Sequence, residues 1–151
     1  TASIFLLLIL GAWVSSSPNA NQVCSIGFPD GWPKCQGDFL PSLDNSGILI
    51  QMVHRTGAGV VGIGLILGVM KFKENAREQG IHEGYSKCLD IATLLWLVNV
   101  FVGGFYIVEA KMGDFPEGLS LLHLILGVVS FLAAAIGLML LRISEEGAED
   151  E

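Results

Sequence analysis

Positive charge is scarce in this chain. Only eight of its 151 residues are Lys or Arg, and they gather into no patch, so nothing marks a nucleic-acid surface. Charged residues of both signs make up 15% of the sequence, too few to wet the surface of an ordinary soluble domain. Features of a cleaved secretory leader are also missing: no basic segment precedes "IFLLLIL", and "WVSSSPNA" offers no convincing small-x-small site. The opening run, which starts at Thr1, is therefore expected to be the outer part of a span that begins earlier. Proline is nearly confined to one place, with four of the five lying between residues 15 and 46.

What the chain does have is apolar sequence in blocks. It is 52% hydrophobic with a mean hydropathy of +0.61. Apolar stretches cover residues 2–14, 47–70, 89–108 and 118–141, and the last three reach the roughly 20 residues needed to cross a bilayer. The expectation is an all-α integral membrane protein, a bundle of four transmembrane helices embedded in lipid. An acidic tail, residues 142–151, accounts for much of the net charge of −7 and reads as a solvated, disordered end.

Lysine and arginine placement sets the orientation. Lys71, Lys73, Arg77 and Lys87 lie between the second and third spans, and Arg142 closes the fourth. Lys34, Lys111 and Arg55 fall towards the other side. Both termini are thus expected in the cytoplasm of a multi-pass cell-membrane protein, with segment 15–46 facing outward. That segment is dense in Gly, Ser, Asn and Pro and long for a structureless connection, which favours a functional loop or lid. Cys24 and Cys35 lie within it, on the oxidising side, and are expected to form a disulfide; free thiols or a redox-active pair are the alternatives. Cys88, at the start of the third span, reads as a packed free thiol.

Small residues fill the helices: Gly57, Gly59, Gly62, Gly64 and Gly68 in the second span, Gly103 and Gly104 in the third, Ala133 to Ala135 in the fourth. They suit close helix packing, and equally a flat macrocycle between helices. A faint internal repeat pairs "GAWV" with "GGFYIV", each followed by a loop and a histidine-bearing helix.

Of three histidines, His82 sits in the charged loop "ENAREQGIHEGYSK" and reads as solvated. His54 lies seven residues beyond Gly47, and His123 seven beyond Pro116, on two spans that run the same way. At about 1.5 Å per residue, both imidazoles fall roughly 10 Å below the outer helix end. An ionisable group at that depth is costly and marks a functional site. Two neutral imidazoles at one level suit axial ligation of a haem iron, whereas zinc or copper would need further ligands that the level lacks. The competing reading is a pair of hydrogen-bonded interhelical histidines. Arg55 could meet a haem propionate with its planar fork, or snorkel to the interface. Gln51, three residues before His54, shares its helix face and cannot titrate.

These residues resemble the haem A synthases, membrane enzymes that oxidise a methyl group of haem O to the formyl group of haem A. The resemblance rests on "LGAWV", the cysteine-bearing loop with "WPKCQGDFLPSL", then "HRTGAG", "VNVFVGGFYIV" and "LLHLILG", in that order over residues 5 to 141. Typical members join two four-helix halves. This chain is one half, similar to the compact archaeal variants, and such a unit would work as a homo-oligomer or beside another membrane subunit of a respiratory oxidase system. The resemblance implies stepwise hydroxylation of the haem O methyl to a geminal diol that loses water, with electrons leaving through a haem b held by a histidine pair. It places His54 and His123 as ligands of the haem iron. Two departures stand out: the cysteines are spaced more widely than in the family, and Gln51 takes the position of the family's usual catalytic glutamate. The rival from another class is a non-catalytic bis-histidine haem b subunit or assembly partner of an oxidase; a haem-free structural subunit is a third.

Overall fold

A computed structural model describes residues 1–79, 83–110 and 116–149, the side chains of 75–79, 83 and 144–149 excepted. His82 and Lys111 therefore lie outside the described residues, as does the very end of the acidic tail.

The described residues form four helices and no strand: α1 (Ala2–Ser16), α2 (Ser46–Gln79), α3 (Glu83–Glu109) and α4 (Glu117–Glu149). Three of them are long and apolar enough to cross a membrane, over Ser46–Glu74, Gly84–Glu109 and Glu117–Ile143. α1 is apolar but shorter. Its end is set locally. Ser17 precedes Pro18 and takes an extended conformation, as a residue before proline prefers, and the hydroxyls of Ser16 and Ser17 donate to the carbonyl of Trp13. α2 starts on a side-chain cap: Asn45 Oδ1 accepts from the backbone N–H groups of Gly47 (2.8 Å) and Ile48 (3.3 Å). α4 begins directly after Pro116, with Glu117 in its positively polarised first turn.

Helix continues beyond the apolar stretches. α2 runs on through the charged sequence to Gln79, and α4 extends to Glu149 where composition suggests a disordered tail. Glu, Lys, Arg and Ala are good helix formers, and a helix already anchored in a bundle needs no new nucleus to propagate.

The helices follow one another around a ring. α3 and α4 pack closest, α1 lies against α2, and the α2–α3 and α1–α4 seams are thinner; α2 and α4 stand diagonally opposite. The α3–α4 contact is built from small residues, Ala92 and Ala134 being essentially fully buried with Ile4 of α1 beside them. Ser130, wholly buried, donates to the carbonyl of Ala92 at 2.8 Å and so satisfies its hydroxyl across the pair. At this level an open groove lies between α2 and α3, lined by Ile66, Met70, Thr93 and Leu97, and a Lys73–Asp90 ion pair of 2.7 Å joins the two helices.

Residues 17–45 fold back over one end of the bundle. Cys24 and Cys35 form a disulfide, both are fully buried, and they pack on Ile107 of α3. Trp32 lies between them in sequence and seats its indole on α3: a Cβ on Gly104 would collide with it, and the Phe101 ring stands 6.3 Å away, edge to face.

Candidate functional site

His54 on α2 and His123 on α4 meet across the bundle diagonal, their ring centroids 6.4 Å apart and their planes at 80°. Both side chains are half-buried. The two remaining helices contribute glycine at this level. Gly11 of α1 faces His54, where a Cβ would lie 3.4 Å from Cε1. Gly103 of α3 lies closer still to His123, where a Cβ would approach Cε1 to 2.7 Å. Gly103 is therefore required by a close approach: any side chain there displaces the imidazole. Its neighbour Gly104 plays the same part for Trp32, so the "GG" of α3 receives one ring from α4 and one from the loop.

The imidazoles are held differently. His123 Nδ1 lies 3.0 Å from the backbone oxygen of Asn99. A carbonyl can only accept, so Nδ1 carries the proton and donates, which leaves the lone pair on Nε2. His54 Nδ1 is enclosed and has no hydrogen-bond partner, and the same is true of Asn99 Oδ1. Enclosed polar atoms without partners are uncommon.

Arg55 leaves the histidine pair and turns towards the loop. Its two terminal nitrogens donate to the backbone oxygens of Lys34 (2.8 Å) and Gly31 (3.1 Å). The guanidinium thus ties α2 to the segment flanking Trp32, a partner that sequence reading did not foresee because backbone carbonyls carry no residue signature. Three of its five donors remain for another acceptor. Gln51 is buried, 3% exposed, one turn nearer the loop than His54. Asn99 and Trp32 were not singled out by sequence reading; their signals, an Asn in an apolar span and a Trp between loop cysteines, are legible only once the histidine pair fixes the level.

No group of three or more His, Cys, Asp or Glu gathers among the described residues. A metal held here would have two protein ligands only and would need the rest from a prosthetic group. A porphyrin supplies four nitrogens and leaves two axial positions. Two imidazoles sharing one metal have centroids about 6 Å apart, from metal–nitrogen bonds of about 2 Å and about 1 Å more to each ring centre. The observed 6.4 Å is in that range. The two-imidazole donor set and its spacing are compatible with a haem.

Comparisons with known protein families, curated proteins and solved structures return no match for this chain.

Proposed function

We propose that this chain is a four-span membrane haem protein of the haem A synthase kind, binding haem between His54 and His123. The observation that carries the reading is the 6.4 Å approach of two imidazoles on diagonally opposite helices, with no group of three or more His, Cys, Asp or Glu among the described residues. Such sites, built between facing helices, are how bundles hold cofactors. The haem would supply the redox chemistry, and His54 and His123 would hold it. The chain's own residues supply position and exclusion of water. Asn99 fixes the His123 tautomer, the disulfide-closed loop covers one end of the bundle, and Arg55 fastens that loop beside His54.

Conversion of the haem O methyl to a formyl group, for terminal oxidase assembly, is the function that the motif resemblance adds. α1 serves in this reading as the fourth span, and the loop lies on the outer face with both termini in the cytoplasm. A second reading, an electron-carrying haem b subunit without catalysis, is favoured by Gln51: the buried position on the histidine face holds an amide where a synthase uses a carboxylate. Either role suits a homo-oligomer or a partner subunit, since most of α2 is left uncovered.

Extraction of the purified protein and mass analysis of its porphyrin tests the reading. Haem O or haem A supports the synthase, and haem B alone supports the cytochrome. A protein that takes up no haem from a producing host refutes both.

A further inference from the structure

The two histidines are chemically unequal, and the inequality has a structural origin on both sides. His123 is locked by the Asn99 carbonyl at 3.0 Å and backed by Gly103. Its helix, α4, is bound to α3 along its length: the Ser130 hydroxyl reaches the Ala92 carbonyl, Ala134 is buried against Ala92, and Gly137 lies on Cys88. A histidine whose second nitrogen donates to a fixed acceptor is oriented and made a stronger donor to metal. His54 has no such acceptor, for its Nδ1 is enclosed and unpartnered. Its helix is also the least buried of the long ones, with Val60, Ile63, Leu67 and Met70 all about 60% exposed or more. α2 is held at the histidine level by α1 (Gly57 against Leu7) and by the Arg55 ties to the loop, and further along by Gly62 against Trp96 and the Lys73–Asp90 ion pair to α3.

Resting on the haem reading above, we propose that His123 is the anchoring axial ligand and His54 the exchangeable one, so that small neutral iron ligands such as carbon monoxide or free imidazole enter on the His54 face. Hydrogen-bond asymmetry and packing asymmetry are separate observations, and both point the same way. Asn99 acts here as a positioning residue through its main-chain oxygen, not as a group that touches the haem.

The test uses the full chain in detergent, with wild type, His54→Ala and His123→Ala each titrated with haem b and followed by optical spectra. His54→Ala should keep its haem as a five-coordinate, high-spin species that binds carbon monoxide when reduced and returns to low spin with added imidazole. His123→Ala should lose at least about tenfold more haem affinity than His54→Ala, the scale on which outer hydrogen-bond partners act on metal sites. Equal losses in the two variants, or a larger loss in His54→Ala, overturn the proposal while leaving a bis-histidine haem in place. If His123→Ala does not assemble, His54→Ala decides alone: retained five-coordinate haem supports the assignment, and a colourless protein overturns it. A wild type that binds no haem removes the underlying reading and this proposal with it.

Discussion

Replacing Gly103 by alanine isolates the contact on which the histidine pair depends. The added Cβ would lie 2.7 Å from Cε1 and 2.9 Å from Nδ1 of His123, inside any normal carbon contact. The facing atoms belong to a short side chain in a packed seam, so the imidazole must rotate or α4 must move out. Rotation breaks the 3.0 Å bond to Asn99 and leaves enclosed polar groups unpaired, at about 1–3 kcal/mol. An off-rotamer ring adds about 0.5–1.5 kcal/mol. Alanine returns about 1 kcal/mol as the better helix former. The net loss is about 1–3 kcal/mol, on the order of 5 °C in melting temperature for a chain of this size. Gly59→Ala is the matched control, because nothing lies within 4 Å of its Cβ, and it should melt at or slightly above wild type. Thermal unfolding in detergent, read beside the haem spectrum, measures both variants. If Gly103→Ala melts as high as Gly59→Ala with an unchanged spectrum, the close approach does not position His123.

Changing Cys24 and Cys35 to serine together should cost about 2–3 kcal/mol, as expected for a loop closed over eleven residues, and intact mass should show two hydrogens gained on reduction of the wild type. Arg55→Gln should free residues 31–34 from α2, seen as faster hydrogen exchange in that segment; because two bonds from a charged donor are lost, the change should cost a few kcal/mol. If haem affinity also falls with loop exchange unchanged, Arg55 acts on the haem and not on the loop. Gln51→Glu places a carboxyl at a position 3% exposed, so stability should fall by about 1–3 kcal/mol while haem A formed from supplied haem O rises. Haem A from neither form, by chromatography of extracted haems, would count against the synthase reading.

The long helices were legible because lipid makes the rule simple: some twenty apolar residues with internally satisfied backbone form a span. The level of the site was legible for a related reason. A helix rises uniformly, so equal offsets from Gly47 and Pro116 put His54 and His123 at one depth, and the structure places their rings 6.4 Å apart. Azimuth was less accessible. Arg55 and His54 are adjacent, and only the course of the loop decides that one faces across the bundle and the other reaches the Gly31 and Lys34 carbonyls. The glycines show the same limit. "GG" at 103–104 announces close packing but not that it admits His123 and Trp32, whereas Gly59, Gly64 and Gly68 carry the same letter and face open space.

That contrast bears on how the halves of the bundle divide their work. α3 and α4 share a seam of small residues in which the buried Ser130 hydroxyl is satisfied, and they carry the histidine that has a fixed partner. α1, α2 and the disulfide-closed loop carry the other histidine, and they are joined to α3 through Trp32 on Gly104, Trp96 against Gly62, the disulfide on Ile107 and the Lys73–Asp90 ion pair. A closely packed pair that sets one histidine, and a second unit joined to it through separate side-chain contacts, would let the distance between the two imidazoles vary. The loop is then more than a cover. Through Arg55 it sits one residue from His54, so anything that displaces residues 31–34 acts directly on the helix that presents the less constrained histidine.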